Sequence, residues 1–159
     1  MSGGMSAGKR FWEKFRLTME PHGYVLRIPD NVHMAGGRIV STETDADFLV
    51  QTESGTYLVE CKATGEARLP FYNVKGHQEE ALSDFDALGD SCHGILAVEF
   101  YDKRGYKLPH RMFLLPIEEW TRYKLSSGRK SMPLSSFEDL GVELKYGRSS
   151  YVFDGRWFR

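Results

Sequence analysis

Three observations in the sequence predict an α/β domain. Two short β-prone runs, Phe48-Leu49-Val50 and Tyr57-Leu58-Val59, flank a turn signal at Glu53-Ser54-Gly55 and read as a hairpin. Two further runs, Gly94 to Phe100 and Arg111 to Pro116, are apolar enough to be buried strands. The stretches Lys9 to Met19 and Val74 to Leu88 instead repeat their apolar residues at helical spacing. With 159 residues the chain suits one domain of ordinary size, and 41% apolar with 13% aromatic content excludes a disordered polypeptide.

In chain order, residues 1–8 are rich in Gly and Ser and read as a flexible arm, leaving 9–159 as a single domain. In the first helix, Phe11, Trp12, Phe15 and Met19 form one apolar stripe for core packing. Lys9, Arg10, Glu13, Lys14 and Arg16 fill the rest of its circumference. Gly23 to Pro29 is a strand closed by Pro-Asp-Asn, and Val32 to Ser41, with Gly36-Gly37, is loop-like. Ala63 to Asn73 is irregular around Pro70. The second helix packs Ala81, Leu82, Phe85 and Leu88 on one face, turns an acidic side outward and ends at Gly89. Ile117 to Tyr123 is a short helix, Ser126 to Pro133 a basic loop, and Ser135 to Asp139 a helix start. Lys145 to Arg159 mixes Tyr, Trp, Phe and Arg, which suits base stacking or a strand covering a sheet edge equally well.

Several classes are excluded. No apolar run approaches the roughly eighteen residues of a membrane span, and no secretory signal pattern opens the chain. Cys61 and Cys92 have no metal-ligand spacing, so a reducing cytoplasm is the expected compartment. No internal repeat, Walker loop, zinc pattern or nucleotide-binding glycine fingerprint occurs. The net charge of −1 hides an uneven distribution. Residues 43–102 carry thirteen acidic against three basic residues, whereas 120–159 carry eight basic against four acidic. Any phosphate-facing charge therefore comes from the two ends of the chain, around an acidic centre.

The chemistry-bearing stretch runs from Asp45 to Lys62. Strand side chains alternate, so Glu60 and Lys62 point one way and Cys61 the other, into the core. Closing the hairpin brings Asp47 opposite Glu60, or within two residues of it, where opposed Cβ atoms lie roughly 4.5–5.5 Å apart. Like charges so placed repel, and a divalent cation between them removes the penalty. Mg²⁺ is held by one or two carboxylates plus substrate phosphate. It stabilises charge on a phosphoryl oxygen and acidifies a bound water, which Lys62 could position or deprotonate. E-x-K on its own reads equally as a solvated ion pair on a surface hairpin. Glu13 on the first helix either faces the site or pairs with neighbouring cations.

Read together, several blocks in one order resemble the RecU-type Holliday junction resolvases of the PD-(D/E)xK nuclease superfamily. Glu60-Cys61-Lys62-Ala63-Thr64 looks like that family's E-A-K-E-T. Leu69-Pro70-Phe71-Tyr72-Asn73 with His77-Gln78 is similar to its F-P-L-x-N…H-Q segment. Gly94-Ile95 looks like its G-I-x-F strand, and Ser127-Gly128-Arg129-Lys130-Ser131 like its N-G-R-K-S. The resemblance implies a restriction-endonuclease-like core, a central mixed β-sheet flanked by helices. It also implies a homodimer and Mg²⁺-dependent (or Mn²⁺-dependent) cutting of two strands at a four-way DNA junction. It suggests Asp47, Glu60 and the carbonyl of Cys61 as metal ligands, with Asp45 the alternative to Asp47 because Thr44-Asp45 resembles the family's Thr-Asp pair. Lys62 would act on the attacking water, Gln78 would support the site, and Glu13 would be an outer member. Lys9, Arg10, Asn73, His77, Arg129 and Lys130 are the expected DNA contacts. Only 14 residues lie between Pro29 and Thr44, where the family inserts a long projecting stalk.

Overall fold

Helix α1 (Ala7–Met19) is capped by Ser6, whose hydroxyl accepts from the Lys9 amide. It begins two residues inside the stretch read as an arm. These positions belong to a computed structural model that describes residues 6–102 and 110–154. Strand β1 (Gly23–Arg27) follows a 3₁₀ turn at Glu20–His22. The segment expected to be a loop is instead a two-stranded hairpin, β2 (Asn31–Ala35) and β3 (Arg38–Thr42). Gly36 and Gly37, with φ of 57° and 76°, supply the left-handed turn that only glycine adopts freely.

The expected central hairpin forms from β4 (Phe48–Thr52) and β5 (Gly55–Thr64). Its two-residue loop fixes the pairing Phe48↔Val59 through Thr52↔Gly55. The stretch 63–73 is less irregular than its sequence implies. It contains β6 (Arg68–Pro70) and a 3₁₀ turn at Phe71–Asn73, because β6 finds a distant partner. Then come α2 (Gly76–Asp86), β7 (Cys92–Phe100), β8 (Arg111–Pro116) and α3 (Ile117–Ser126). After these lie β9 (Ser131–Pro133), which pairs with β6, α4 (Leu134–Leu140), β10 (Val142–Tyr146) and β11 (Tyr151–Val152). Helix α2 ends at Asp86 and is capped by Ala87, short of Gly89. Within the aromatic C-terminal stretch, the described part is a sheet-edge hairpin, and residues 155–159 lie outside the described residues.

Seven strands form one mixed sheet in the order β1-β4-β5-β7-β8-β10-β11, with β5 and β7 parallel and the other neighbours antiparallel. Strand β7 is buried throughout from Gly94 because both of its faces are covered. Ile95 and Ala97 pack toward Phe11, Phe15 and Met19 of α1. Leu96, Val98 and Phe100 pack toward Leu82, Trp120 and Phe137 on α2, α3 and α4. Helix α2 lies so close to β7 that a Cβ on Gly94 would sit 2.1 Å from the Leu82 carbonyl oxygen. Only glycine admits that approach, and Asp86 accepts the Gly94 amide at 3.0 Å to fix it. The parallel β5–β7 pair, bridged by α2, thereby sets what α2 presents to β5. Among the described residues, no helix is long and apolar enough to cross a membrane.

Candidate active site

The hairpin register decides the centre of the site. One step beyond Phe48↔Val59, Asp47 stands against Glu60, and its amide donates to the Val59 carbonyl at 2.9 Å. Both carboxylates are buried, Glu60 at 3% exposure. They line a cleft of about 330 Å³ together with Trp12, Asp30, Glu43, Lys62 and Gln78.

Each carboxylate is held by its own partners. Asp47 Oδ2 accepts the Cys61 amide at 2.9 Å, and Arg27 Nη1 lies 3.8 Å from Oδ1. Glu60 Oε1 accepts Gln78 Nε2 at 3.0 Å and meets Lys62 Nζ at 3.1 Å. The orientation of the Gln78 amide follows from its second bond. Its Oε1 accepts the Lys75 amide at 3.0 Å, which reaches back across the start of α2 and leaves Nε2 to face Glu60. Among the described residues, Glu60 Oε2 is buried and accepts no hydrogen bond.

Burial, and then the neighbouring Asp47 charge, push the Glu60 carboxyl up to about 8, against the pull of Lys62 and Arg27. Burial also raises Asp47, while the Cys61 amide, Arg27 and Lys62 pull it down. Near neutral pH the metal-free protein therefore keeps much of Glu60 as the neutral acid, even with Lys62 in contact. An orphaned buried oxygen on one of two facing carboxyls is the environment a divalent cation would relieve. Among the described residues, no three His, Cys, Asp or Glu side chains gather around one point. An ion here would rest on Asp47, Glu60 and the Cys61 carbonyl, with its remaining positions open to water and phosphate. The donor set fits a hard cation.

Other candidate residues fall elsewhere. Glu13 lies on the outer side of α1, exposed and paired with Arg16 at 2.8 Å, because the helix docks through Phe11 and Phe15. The side chain that α1 sends to the cleft is Trp12, one position earlier. Asp45 is exposed and bonded to His77 Nδ1 at 2.9 Å. The chain enters β4 only at Phe48, and Thr44 Oγ1 bonds the Ala46 carbonyl, so Asp45 does not share the Asp47 face. His77 is thus occupied by Asp45, and Lys75 by Glu43. Lys9 and Arg10 lie on the exposed side of α1. Arg10 lines a second depression with Lys14, Glu99 and His110, outside the cleft. Asn73 is half-buried at the end of its turn, and Arg129 and Lys130 are exposed before β9. Arg27 and Trp12 escape sequence reading. The guanidinium stacks 3.9 Å from the Trp12 ring centre and donates to the Asp47 carbonyl oxygen at 3.1 Å. Neither carries a motif: the β1–β4 pairing Arg27↔Phe48 brings Arg27 to Asp47, and the docking of α1 lays Trp12 over it.

No protein-family model matches the chain. Over 88 residues it is 31% identical to a Holliday junction resolvase RecU of Pediococcus pentosaceus, a stretch that makes up 54% of this chain. The match covers 40% of that relative, so the chain spans less than half of its length. The fold is similar to that of Hjc, a Holliday junction resolvase of the archaeal hyperthermophile Archaeoglobus fulgidus. The TM-score is 0.54 at 19% identity, covering 86% of this chain and 95% of the other. These likenesses bear out the resemblance read in the motifs and the restriction-endonuclease-like α/β core it implies.

Proposed function

We propose that this protein is a divalent-metal-dependent endodeoxyribonuclease that cuts four-way DNA junctions as a homodimer in the cytoplasm. The observation that carries the reading is the orphaned Glu60 Oε2 beside Asp47, with Lys62 at the same cleft. Such a pair of buried carboxyls costs stability in a binding module and is useful in phosphodiester hydrolysis. The likeness to junction resolvases supports the substrate.

Asp47, Glu60 and the Cys61 carbonyl would hold Mg²⁺, or Mn²⁺ in its place. When bound, the ion supplies an acidified water and neutralises charge on the phosphoryl oxygen. Lys62, half-buried at the cleft and held by Glu60, orients the attacking water and faces the developing charge with an ammonium group. Gln78 and Lys62 both engage Glu60 Oε1, which leaves Oε2 as the oxygen that would be free to hold the ion. Arg27 clamps the backbone and side chain of Asp47, and Trp12 covers that clamp against water. The described residues carry one such site, so paired cuts across a junction require a second copy.

The test is cleavage of a labelled four-way junction and of linear duplex, with Mg²⁺ and with EDTA, by wild type and Lys62→Ala. Expected are paired, metal-dependent cuts at the branch, reduced about 10²- to 10⁴-fold in the variant with binding retained. Equal cutting of linear duplex would remove the junction from the proposal. Absence of cutting on both would remove the nuclease.

A further inference from the structure

We propose that Tyr72, flanked by Arg129 and Lys130, is a stacking platform for an unpaired nucleobase of the DNA that enters the cleft. The inference rests on the nuclease reading and names how branched DNA would be told from continuous duplex.

Tyr72 is 81% exposed, yet its mount is rigid. Phe71 and Val74 on either side of the turn are buried, and the Val74 amide donates to the Phe71 carbonyl at 3.1 Å. The Phe71 ring meets Trp120 edge-on at 5.2 Å, which locks the turn to α3. Tyr72 is thereby held outward, and little ordering remains to be done when a ring stacks on it.

The basic residues arrive by strand pairing. The β6–β9 register, Pro70↔Ser131, continues as a hydrogen bond from the Phe71 amide to the Lys130 carbonyl at 3.0 Å. The ladder gives way there to the 3₁₀ turn, so Tyr72 is one residue past that bond and Arg129 one residue before it, on adjoining stretches of backbone. Gly128, with φ of 66°, turns the chain there, and the Arg129 amide donates to Ser127 Oγ at 3.2 Å. Among the described residues, neither Arg129 nor Lys130 forms an ion pair, whereas Arg68, Lys75 and Lys124 on neighbouring elements are each tied to a carboxylate. Cations left without acidic partners next to an exposed ring are the combination that follows a strand backbone and stacks its bases. Tyr72 lies six residues before Gln78, so the platform is within ~22 Å of the cleft wall, less than one turn of duplex. A base offers its face only when it is unstacked, so the platform favours branch points and single strands over continuous duplex.

The experiment uses a four-way junction carrying 2-aminopurine at an unstacked position beside the branch, in EDTA so that no strand is cut. Wild type and Tyr72→Trp should quench the probe on binding, and Tyr72→Ala should not. Affinity of Tyr72→Ala for a single-stranded oligonucleotide should fall about 5- to 150-fold, with affinity for linear duplex unchanged. Quenching and affinity equal to wild type in Tyr72→Ala would overturn the platform. Parallel loss on single strand and duplex would overturn it too, as a general effect on the surface. If, in a parallel reaction with Mg²⁺, wild type and Tyr72→Ala cut junctions alike and bind them alike, the platform alone fails. If wild type neither binds nor cuts any DNA, the nuclease reading fails with it.

Discussion

Exchanging Glu60 for Gln keeps an acceptor for Gln78 Nε2 and removes the titrating proton, so it isolates the electrostatics of the cleft. In the folded chain the Glu60 carboxyl is pushed from its usual 4.5 up to about 8 by burial and by Asp47. Between those values the folded state retains a proton that the unfolded chain releases. The stabilisation is fully present below pH 4.5, declines as pH rises and is gone above about 8. Its slope reaches about 1.4 kcal/mol per pH unit, and the whole window is worth roughly 5 kcal/mol as an upper bound. Urea denaturation in EDTA from pH 4.5 to 9 should show this decline in wild type and a much flatter profile in Glu60→Gln. At pH 8, Mg²⁺ at a hundred times its Kd should restore about 2.7 kcal/mol to wild type and nothing to the variant. Identical pH profiles for the two proteins, or equal stabilisation of both by Mg²⁺, would refute the reasoning.

Gln78→Ala leaves the Lys75 amide and Glu60 Oε1 each short of a partner, and should cost about 1–3 kcal/mol in thermal or urea denaturation. Lys14→Met strips a 2.9 Å partner from Glu99, which is 2% exposed, and should cost about 3–5 kcal/mol, while Lys14→Met with Glu99→Gln should recover part of that loss. Replacing Arg129 and Lys130 together by Ala should weaken DNA binding across sequences and lower the slope of log affinity against log salt by about 0.9 per lost phosphate contact. An unchanged slope in titrations at several salt concentrations would remove both residues from the DNA surface.

Legibility followed the range of the contacts. The pairing of Asp47 with Glu60 could be counted off the sequence because a two-residue loop sets the register of a hairpin. Periodicity likewise located α1, α2, β7 and β8, whose apolar faces are continuous over several turns or alternations. The 31–42 hairpin was hidden because Met34 and Ile39, its opposed apolar pair, remain exposed, so no buried face marks it. The short strands β6 and β9 were hidden because three residues hold no period, and each exists through a partner some sixty positions away. Asp45 and Asp47 would share a face on an extended strand, but β4 starts at Phe48 and the turn at Thr44 sends Asp45 to His77.

By itself, the sequence determined the local chemistry: two carboxylates and a lysine on one hairpin, which backbone alternation and a tight turn suffice to bring together. Only tertiary structure decided what surrounds them. The docking of α1 through Phe11 and Phe15 turned Glu13 to solvent and Trp12 over Arg27. The close approach of α2 to Gly94 put Gln78 behind Glu60. Those neighbours bury the carboxylates and so raise their pKa values, because desolvation depends on what packs from distant parts of the chain and not on the residues beside the charge.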